Sequence, residues 1–499
     1  CPGCDRRGAG ERRSPAAEQG PAPDWEAKSR DPNPNVRREA MWSIGGAGER
    51  ALAALPLLVA GLDDSDASVR EQAAWSIGKL GERAAGAAVP KLTALLADPS
   101  ETVRERAAFA LGNMARQAKS AIPALVTALG DPAMPVRLRA VRAVAAMGSA
   151  ASEALPTLLS MTHDANLELR RSAAGAAGRV GSRSSAPIAP LMEIVAQEPD
   201  PEVRRAALFG LGENKTPAIV DALPAFIHAL DEKSPETRVT AITAIGKMDP
   251  TLAASALPAL ITVLAASESD VQFAAARALA TFGPAARAAV PRLAELLGSS
   301  DGKVREEAAH ALGEVGADAA PAIPALIRAL EDKDMSLQWR ASAALGKIGG
   351  PAVESLATML GDTDAQRAMV AAFALGKIGE PAASAVPALL RALDRPHVGL
   401  RQTAARSIGR IGGAEGRRAA SRIAELADDP DSTTRKFALQ TLGRLGVTSA
   451  DVQAAIEGHL EDPAGDVRGA AQWALERLKN PGAGGDAKGS GSAEEAPSS

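Results

Sequence analysis

The sequence predicts an all-α protein, an α-solenoid of about fourteen two-helix repeats, on three observations. The first is a fixed period. In Asp63 to Gly81, DDSDASVREQAAWSIGKLG, Val69 is followed by Arg one place later, Ala four later, Ile eight later and Gly nine and twelve later. Equivalent anchors fall at Val36, Val69, Val103, Val136, Leu169, Val203, Thr237, Val271, Val304, Leu337, Arg367, Leu400, Thr434 and Val467, every interval being 33 or 34 residues except the 30 between Leu337 and Arg367. Such a period marks a repeat architecture. The second observation is that the apolar positions inside each period recur at helical spacing. The third is a Pro thirteen residues before the anchor in eleven copies.

Each element follows from these. Pro23, Pro56, Pro90, Pro123, Pro156, Pro190, Pro224, Pro258, Pro291, Pro324 and Pro387 each open a short apolar run such as PALIRAL. Pro in a first turn gives up only a donor that has no helical partner anyway. An Asp-bearing turn comes next, and Asp98, Asp131 and Asp462 are expected to cap the following helix. The second helix carries the anchor, with offsets zero, four, eight and eleven on one apolar stripe, and is expected to end at its Gly pair in a left-handed turn. Neither helix can bury its apolar face within one period, so stability must come from stacking on neighbours. The Arg after the anchor, present in eleven copies from Arg37 to Arg468, reads as a ladder pairing with Asp in adjacent turns.

Units such as DPEVRRAALFGLG and AIPALIRALEDKD resemble HEAT repeats of the bacterial phycobilisome-lyase-like type, over about residues 22–479. The resemblance implies an armadillo-type fold whose concave surface is lined by the second helices. It implies no activity. The HEAT-repeat deoxyhypusine hydroxylases hold iron with His-Glu pairs, and this sequence contains no His-Glu dipeptide; the phycobilin lyases share the repeat without a motif that carries over.

Chemical motifs are scarce. His163, His228, His310, His397 and His459 sit in different repeats, and Gly-x-x-Gly elements such as Gly376 to Gly379 occupy helix C-termini, the wrong end of the dipole for a phosphate. No catalytic residue, metal site or cofactor is expected. A formal net charge of −4 gives no chain-wide signal for nucleic acid, which leaves that role only a basic C-terminal ridge of Lys347, Lys377, Arg410, Arg444 and Arg477.

The aromatic residues are placed differently. Offset six of the second helix points away from the apolar stripe and carries Trp42, Trp75, Phe109, Phe209, Phe373 and Trp473; Phe273, Trp339 and Phe437 share or flank that face, while Trp25, Phe226 and Phe282 fall on core positions. Other copies put Arg142, Arg277, His310 and Arg406 at offset six. Aromatics and Arg are enriched at binding hot spots. The alternative is that the rings pack on neighbouring helices and stiffen the curve. The expected function is a non-catalytic scaffold binding a protein or peptide in this groove, with an enzyme or lyase-type chaperone as the first alternative and nucleic-acid binding as the second.

The ends read as tethers. Residues 1–22 are polar and rich in Pro and Gly, and residues 480–499 are of low complexity, both expected to be disordered around a repeat region at 23–479. Cys1 at the start resembles the lipidated Cys of a mature bacterial lipoprotein, which implies an extracytoplasmic, membrane-anchored protein; a truncated start, with a cytoplasmic protein, or metal or redox chemistry of Cys1 with Cys4, are the other readings. Trp25 caps the first repeat. Glu476 and Lys479 replace the Gly pair in the last, as suits a polar terminal face. The three-residue deletion before Arg367, with Ala368 in place of the ladder Arg, predicts a local change in the superhelix.

Overall fold

Each repeat folds as a short first helix, a braced turn and a longer second helix. The computed structural model describes residues 24–479; Cys1, Cys4, the remaining tether, Pro23 and residues 480–499 lie outside the described residues. The second helices are α1 Pro34–Gly45, α2 Ala67–Leu80, α3 Glu101–Met114, α4 Met134–Met147, α5 Leu167–Val180, α6 Pro201–Gly212, α7 Pro235–Lys247, α8 Ser269–Thr281, α9 Gly302–Val315, α10 Met335–Ile348, α11 Ala365–Ile378, α12 Val398–Ile411, α13 Ser432–Leu445 and α14 Gly465–Lys479. They match the fourteen anchors. Among the described residues there is no strand. The described residues divide into two compact units, 24–219 with α1 to α6 and 220–479 with α7 to α14.

The predicted stripe is the core. In the first unit Val69, Ala73 and Ile77 are fully buried, as are Leu58 and Leu92 of the first helices; in the second, so are Val304, Ala308 and Leu312 together with Leu293 and Leu326. Each such Leu contributes roughly 1.5–3 kcal/mol by its burial. Pro56, Pro123, Pro156, Pro224, Pro258, Pro291, Pro324 and Pro387 stand in a first turn as expected. Pro90 lies inside Ala85–Leu95 instead, because that helix begins earlier.

The turn works differently from the expectation. Asp98 does not cap the next helix: its carboxylate accepts from the Ser100 N–H at 2.8 Å and from Arg70 Nε and Nη2 at 2.8 and 3.0 Å. Asp131 does the same with Ala133 and Arg104, and Asp462 with Ala464 and Arg435. Where a side chain caps the helix it stands two residues further on, as when Asp66 accepts from the Ser68 N–H at 2.9 Å. The first Asp is spent on bracing the turn and joining it to the previous repeat.

The Arg ladder is present, bidentate at Arg37, Arg70, Arg104, Arg401 and Arg435 and looser at Arg170, 3.3 Å from Glu198, and Arg305, 3.8 Å from Asp332. Arg37 meets Asp64 and Arg401 meets Asp429 with the same fork, each pair largely shielded from solvent. Ten of the eleven Arg, Arg238 being the exception, also reach backward to their own turn, Arg70 Nη1 donating to the carbonyls of Asp64 and Ser65 at 2.8 and 3.1 Å. Where Gln replaces Arg, half the function survives: Gln272 donates to the Ala266 carbonyl at 2.8 Å and Gln338 to that of Asp332 at 2.6 Å. At Ala368 the two carbonyls of Asp362 and Thr363 are served from the other side, by Arg395 of the following repeat at 2.7 and 2.9 Å. Arg395 occupies the position that holds the ladder Asp elsewhere, so donor and acceptor sides have been exchanged.

The Gly pair also divides its labour. Only the second member takes a positive φ, as at Gly81 (φ +58°). The first lies within the helix and permits contact with the next: a Cβ at Gly78 would stand 3.1 Å from Ala110 Cα, and one at Gly112 3.1 Å from Ala143 Cα. In α3 the second Gly is replaced by Ala115, held at φ 44°. Beside the deletion, Gly346 faces Lys377 rather than Ala374, the residue its counterparts would meet, so the packing of α10 on α11 has slipped along the helix.

Candidate protein-binding face

The offset-six side chains do share one face of the second helices within each unit, yet they lean sideways rather than straight out. Phe109 lies over Gly78 of the preceding helix, its ring 2.9 Å from where a Cβ would be, and Trp473 lies over Gly443 at 2.6 Å. The small Gly that lets the backbones approach thus also receives the next ring. Half-buried Trp75, Phe109, Phe209, Phe273, Phe373 and Phe437 therefore contribute to packing, whereas Trp42, Trp339 and Trp473 are 61, 38 and 39% exposed.

Cations cover most of these rings. In the first unit Lys79 sits 4.2 Å from the Trp75 centroid, Arg139 5.4 Å from Phe109 and Arg179 5.0 Å from Phe209. In the second, the Trp339 and Phe373 rings meet at 5.5 Å, tilted by 39°, with Lys377 over both, at 4.9 and 5.4 Å, and Arg410 is 5.9 Å from Phe373. Arg406 covers Phe437 and Arg477 covers Trp473. At exposed sites each such contact is worth about 0.5–1 kcal/mol. The basic ridge read from the sequence is thus largely engaged with the rings, and Lys347 pairs with Glu314 at 2.5 Å.

The remaining predicted residues fall into two groups. Arg142 reaches Glu168 at 3.2 Å, and His310 Nδ1 lies 3.6 Å from the same Glu314 that holds Lys347. Arg277 is exposed on α8 and joins no ring cluster among the described residues. Between Arg142 on α4 and Phe209 on α6, offset six of α5 is Gly175, and a hollow of about 560 Å³ opens there. Sequence reasoning passed over it because a Gly at a surface position carries no signal until its neighbours are placed. The five His residues are not brought together, and no group of three or more metal-binding side chains occurs among the described residues. No described helix is long and apolar enough to cross a membrane.

Residues 23–97, 89–179, 188–280, 257–323, 290–376 and 354–420 each match the family model for HEAT repeats, together taking in well over half of the chain. The chain belongs to the HEAT-repeat family. This HEAT solenoid is similar in fold to importin-beta crystallised in ammonium sulfate (14% identity, TM-score 0.52), to Kap95p bound to RanGDP (13%, 0.54) and to Kap95p in complex with Nup1 (14%, 0.51). Kap95p is yeast importin-beta. Each likeness covers 91% of this chain and 73% of the other. A comparison with curated proteins finds no match.

Proposed function

We propose that this HEAT-repeat protein is a non-catalytic scaffold that holds a protein or peptide against the aromatic and cationic face of its second helices. The observation that carries the reading is the exposure of Trp42 on that face in the first unit and of Trp339 and Trp473 on it in the second, three of the five Trp in the chain. Leaving such a ring in water forgoes a large apolar area, and Trp and Arg are the residues that dominate binding energy at protein interfaces. The fold likeness supports it, since Kap95p is captured with RanGDP and with Nup1.

An enzyme or a lyase-type chaperone would need titratable groups gathered in a cleft and free to act. Here Glu168, Glu202 and Glu314 are each engaged by Arg or Lys. Nucleic-acid binding asks for a continuous positive track, whereas Lys377, Arg410 and Arg477 lie over rings and the chain carries a net −4.

The test uses Trp42→Ser with Trp339→Ser, leaving half-buried Trp75 and Phe109 in place. Proteins retained by the wild-type chain are identified, purified and titrated against both forms. A hot-spot face predicts at least about 30-fold weaker binding, near 2 kcal/mol, with unchanged helicity. Equal affinity of the two forms, or collapse of the fold, would refute the reading.

A further inference from the structure

The gap in the aromatic row at Gly175 has the makings of a specific subsite. On either side, α4 and α6 present Arg142 and Phe209; α5 presents no side chain, and a Cβ built on Gly175 would find nothing nearer than the Ala206 carbonyl oxygen at 4.0 Å. The floor is low because α5 and α6 approach unusually closely: a Cβ on Gly178 would lie 2.1 Å from Gly210 Cα. What remains is a hollow of about 560 Å³ floored by Gly175, Ala176 and Ala206. That volume is within the range of ligand-binding pockets and well beyond a bare inorganic anion.

Its walls are strongly cationic. Arg142, Arg171, Arg179 and Arg205 line it. Two carboxylates face them: Glu168 meets Arg142 at 3.2 Å, and Glu202 is shared by Arg171 at 3.3 Å and Arg205 at 2.5 Å. Guanidinium groups thus predominate on the lining of the hollow, which carries Glu168 as its own carboxylate. Arg179 lies over the Phe209 ring. The Glu168 and Glu202 side chains are 54 and 42% exposed, and exposed ion pairs of this kind contribute little, so a better-placed carboxylate can displace them. A guanidinium offers planar, two-pronged donation to such a group, while Phe209 and the Gly/Ala floor offer apolar contact beside it.

We infer that the hollow over Gly175 binds a short acidic segment of a protein partner, seating carboxylate side chains among Arg142, Arg171 and Arg205 and an apolar side chain against Phe209. The inference deepens the scaffold reading and rests on it. The mixture of an apolar floor with interleaved carboxylates favours a peptide over nucleic acid, whose closely spaced phosphates would meet Glu168 and Glu202.

The test titrates the full-length chain with a rhodamine-labelled peptide of alternating Glu and Leu, its Gln-for-Glu counterpart, inorganic phosphate and a single-stranded oligonucleotide. The Glu peptide is expected to bind saturably and at least tenfold more tightly than the Gln peptide. Phosphate and oligonucleotide should compete at least tenfold less well than unlabelled Glu peptide. Gly175→Trp, which completes the row and fills the hollow, should weaken the peptide at least tenfold, as should Arg171→Gln with Arg205→Gln. Gly175→Ala, whose Cβ would meet only the Ala206 carbonyl oxygen at 4.0 Å, should leave the fold intact, and a thermal melt checks that Gly175→Trp folds as well. Equal binding of Glu and Gln peptides, tighter binding of the oligonucleotide, or undiminished peptide binding by a folded Gly175→Trp chain would each overturn the site. The two readings separate in the variants: a partner lost from Trp42→Ser/Trp339→Ser but retained by Gly175→Trp leaves the scaffold standing without this subsite.

Discussion

Asp98→Ala is the sharpest probe of what joins one repeat to the next. Asp98 is almost sealed from solvent, its side chain 5% and that of Arg70 15% exposed. Three donors converge on it: Nε and Nη2 of Arg70 and the Ser100 N–H. Truncation leaves Arg70 with only its two backbone carbonyls and strips the brace from the turn before α3. Removing one partner of a buried pair costs about 3 kcal/mol at the lower end. For a unit of this size melting together, that corresponds to a fall in melting temperature of about 6–12 °C. The pair also has a pH signature. Burial pushes the Asp98 carboxyl up, but the hydrogen bonds from Arg70 and Ser100 and the nearby charges of Arg70 and Arg104 pull it down further, so it titrates below the ordinary carboxylate range. A depressed native pKa contributes stability that is complete above the unfolded value, about 3.9, and disappears as pH falls through the lower native one. Urea unfolding of wild type, Asp98→Ala, Arg70→Ala and the double variant at pH 7 and through pH 5 to 2 gives both quantities. The reasoning fails if Asp98→Ala shifts the midpoint no more than Glu49→Ala, which breaks the exposed pair with Arg83, or if it leaves the acid limb of the stability curve unchanged.

Three further outcomes follow from the same structure. Ala115→Gly should raise stability by about 1 kcal/mol, because relief of a strained positive φ exceeds the entropy that Gly adds to the unfolded chain; a urea midpoint at or below wild type would count against the strain. Leu312→Asp puts an unpaired charge on a fully buried stripe of α9, which should cost about 4 kcal/mol or more and produce an early transition in the second unit; one unchanged transition would show the register to be wrong. Arg395→Ala should cost about 1–3 kcal/mol by leaving the carbonyls of Asp362 and Thr363 without their donor. Arg395→Lys should recover little of it, since one ammonium lacks the two-pronged span, and full recovery by Lys would contradict the bridging role.

Periodicity along one chain is visible in residue order, which is why all fourteen second helices, their buried stripe and the Arg ladder were legible. What residue order does not contain is the sideways neighbour. The Gly at offset nine looked like half of a helix stop, and its use as a docking floor for Ala110 or Phe109 appears only when α2 and α3 lie side by side. Asp98, Asp131 and Asp462 looked like caps because the nearest helix start was theirs; their guanidinium partners come from the previous repeat, 27 or 28 residues away. How far each offset-six ring leans on its neighbour depends on what that neighbour lacks. Gly175 is the extreme case, a residue whose meaning is the room it leaves.

The exchanged guanidinium at Arg395 bears on how such an array can be rearranged. Most repeats here end in the same socket and begin with the same plug, so duplicating or deleting one would rejoin compatible edges. Repeats eleven and twelve are keyed to each other instead: twelve brings an Arg to a place where every ordinary predecessor already holds one, and eleven offers bare carbonyls that an ordinary Asp-bearing successor would not serve. Moved separately, each would meet either two cations in one socket or none. Repeats eleven and twelve therefore travel as one cassette, and any shortened or lengthened version built from these repeats should not be cut between residues 353 and 411.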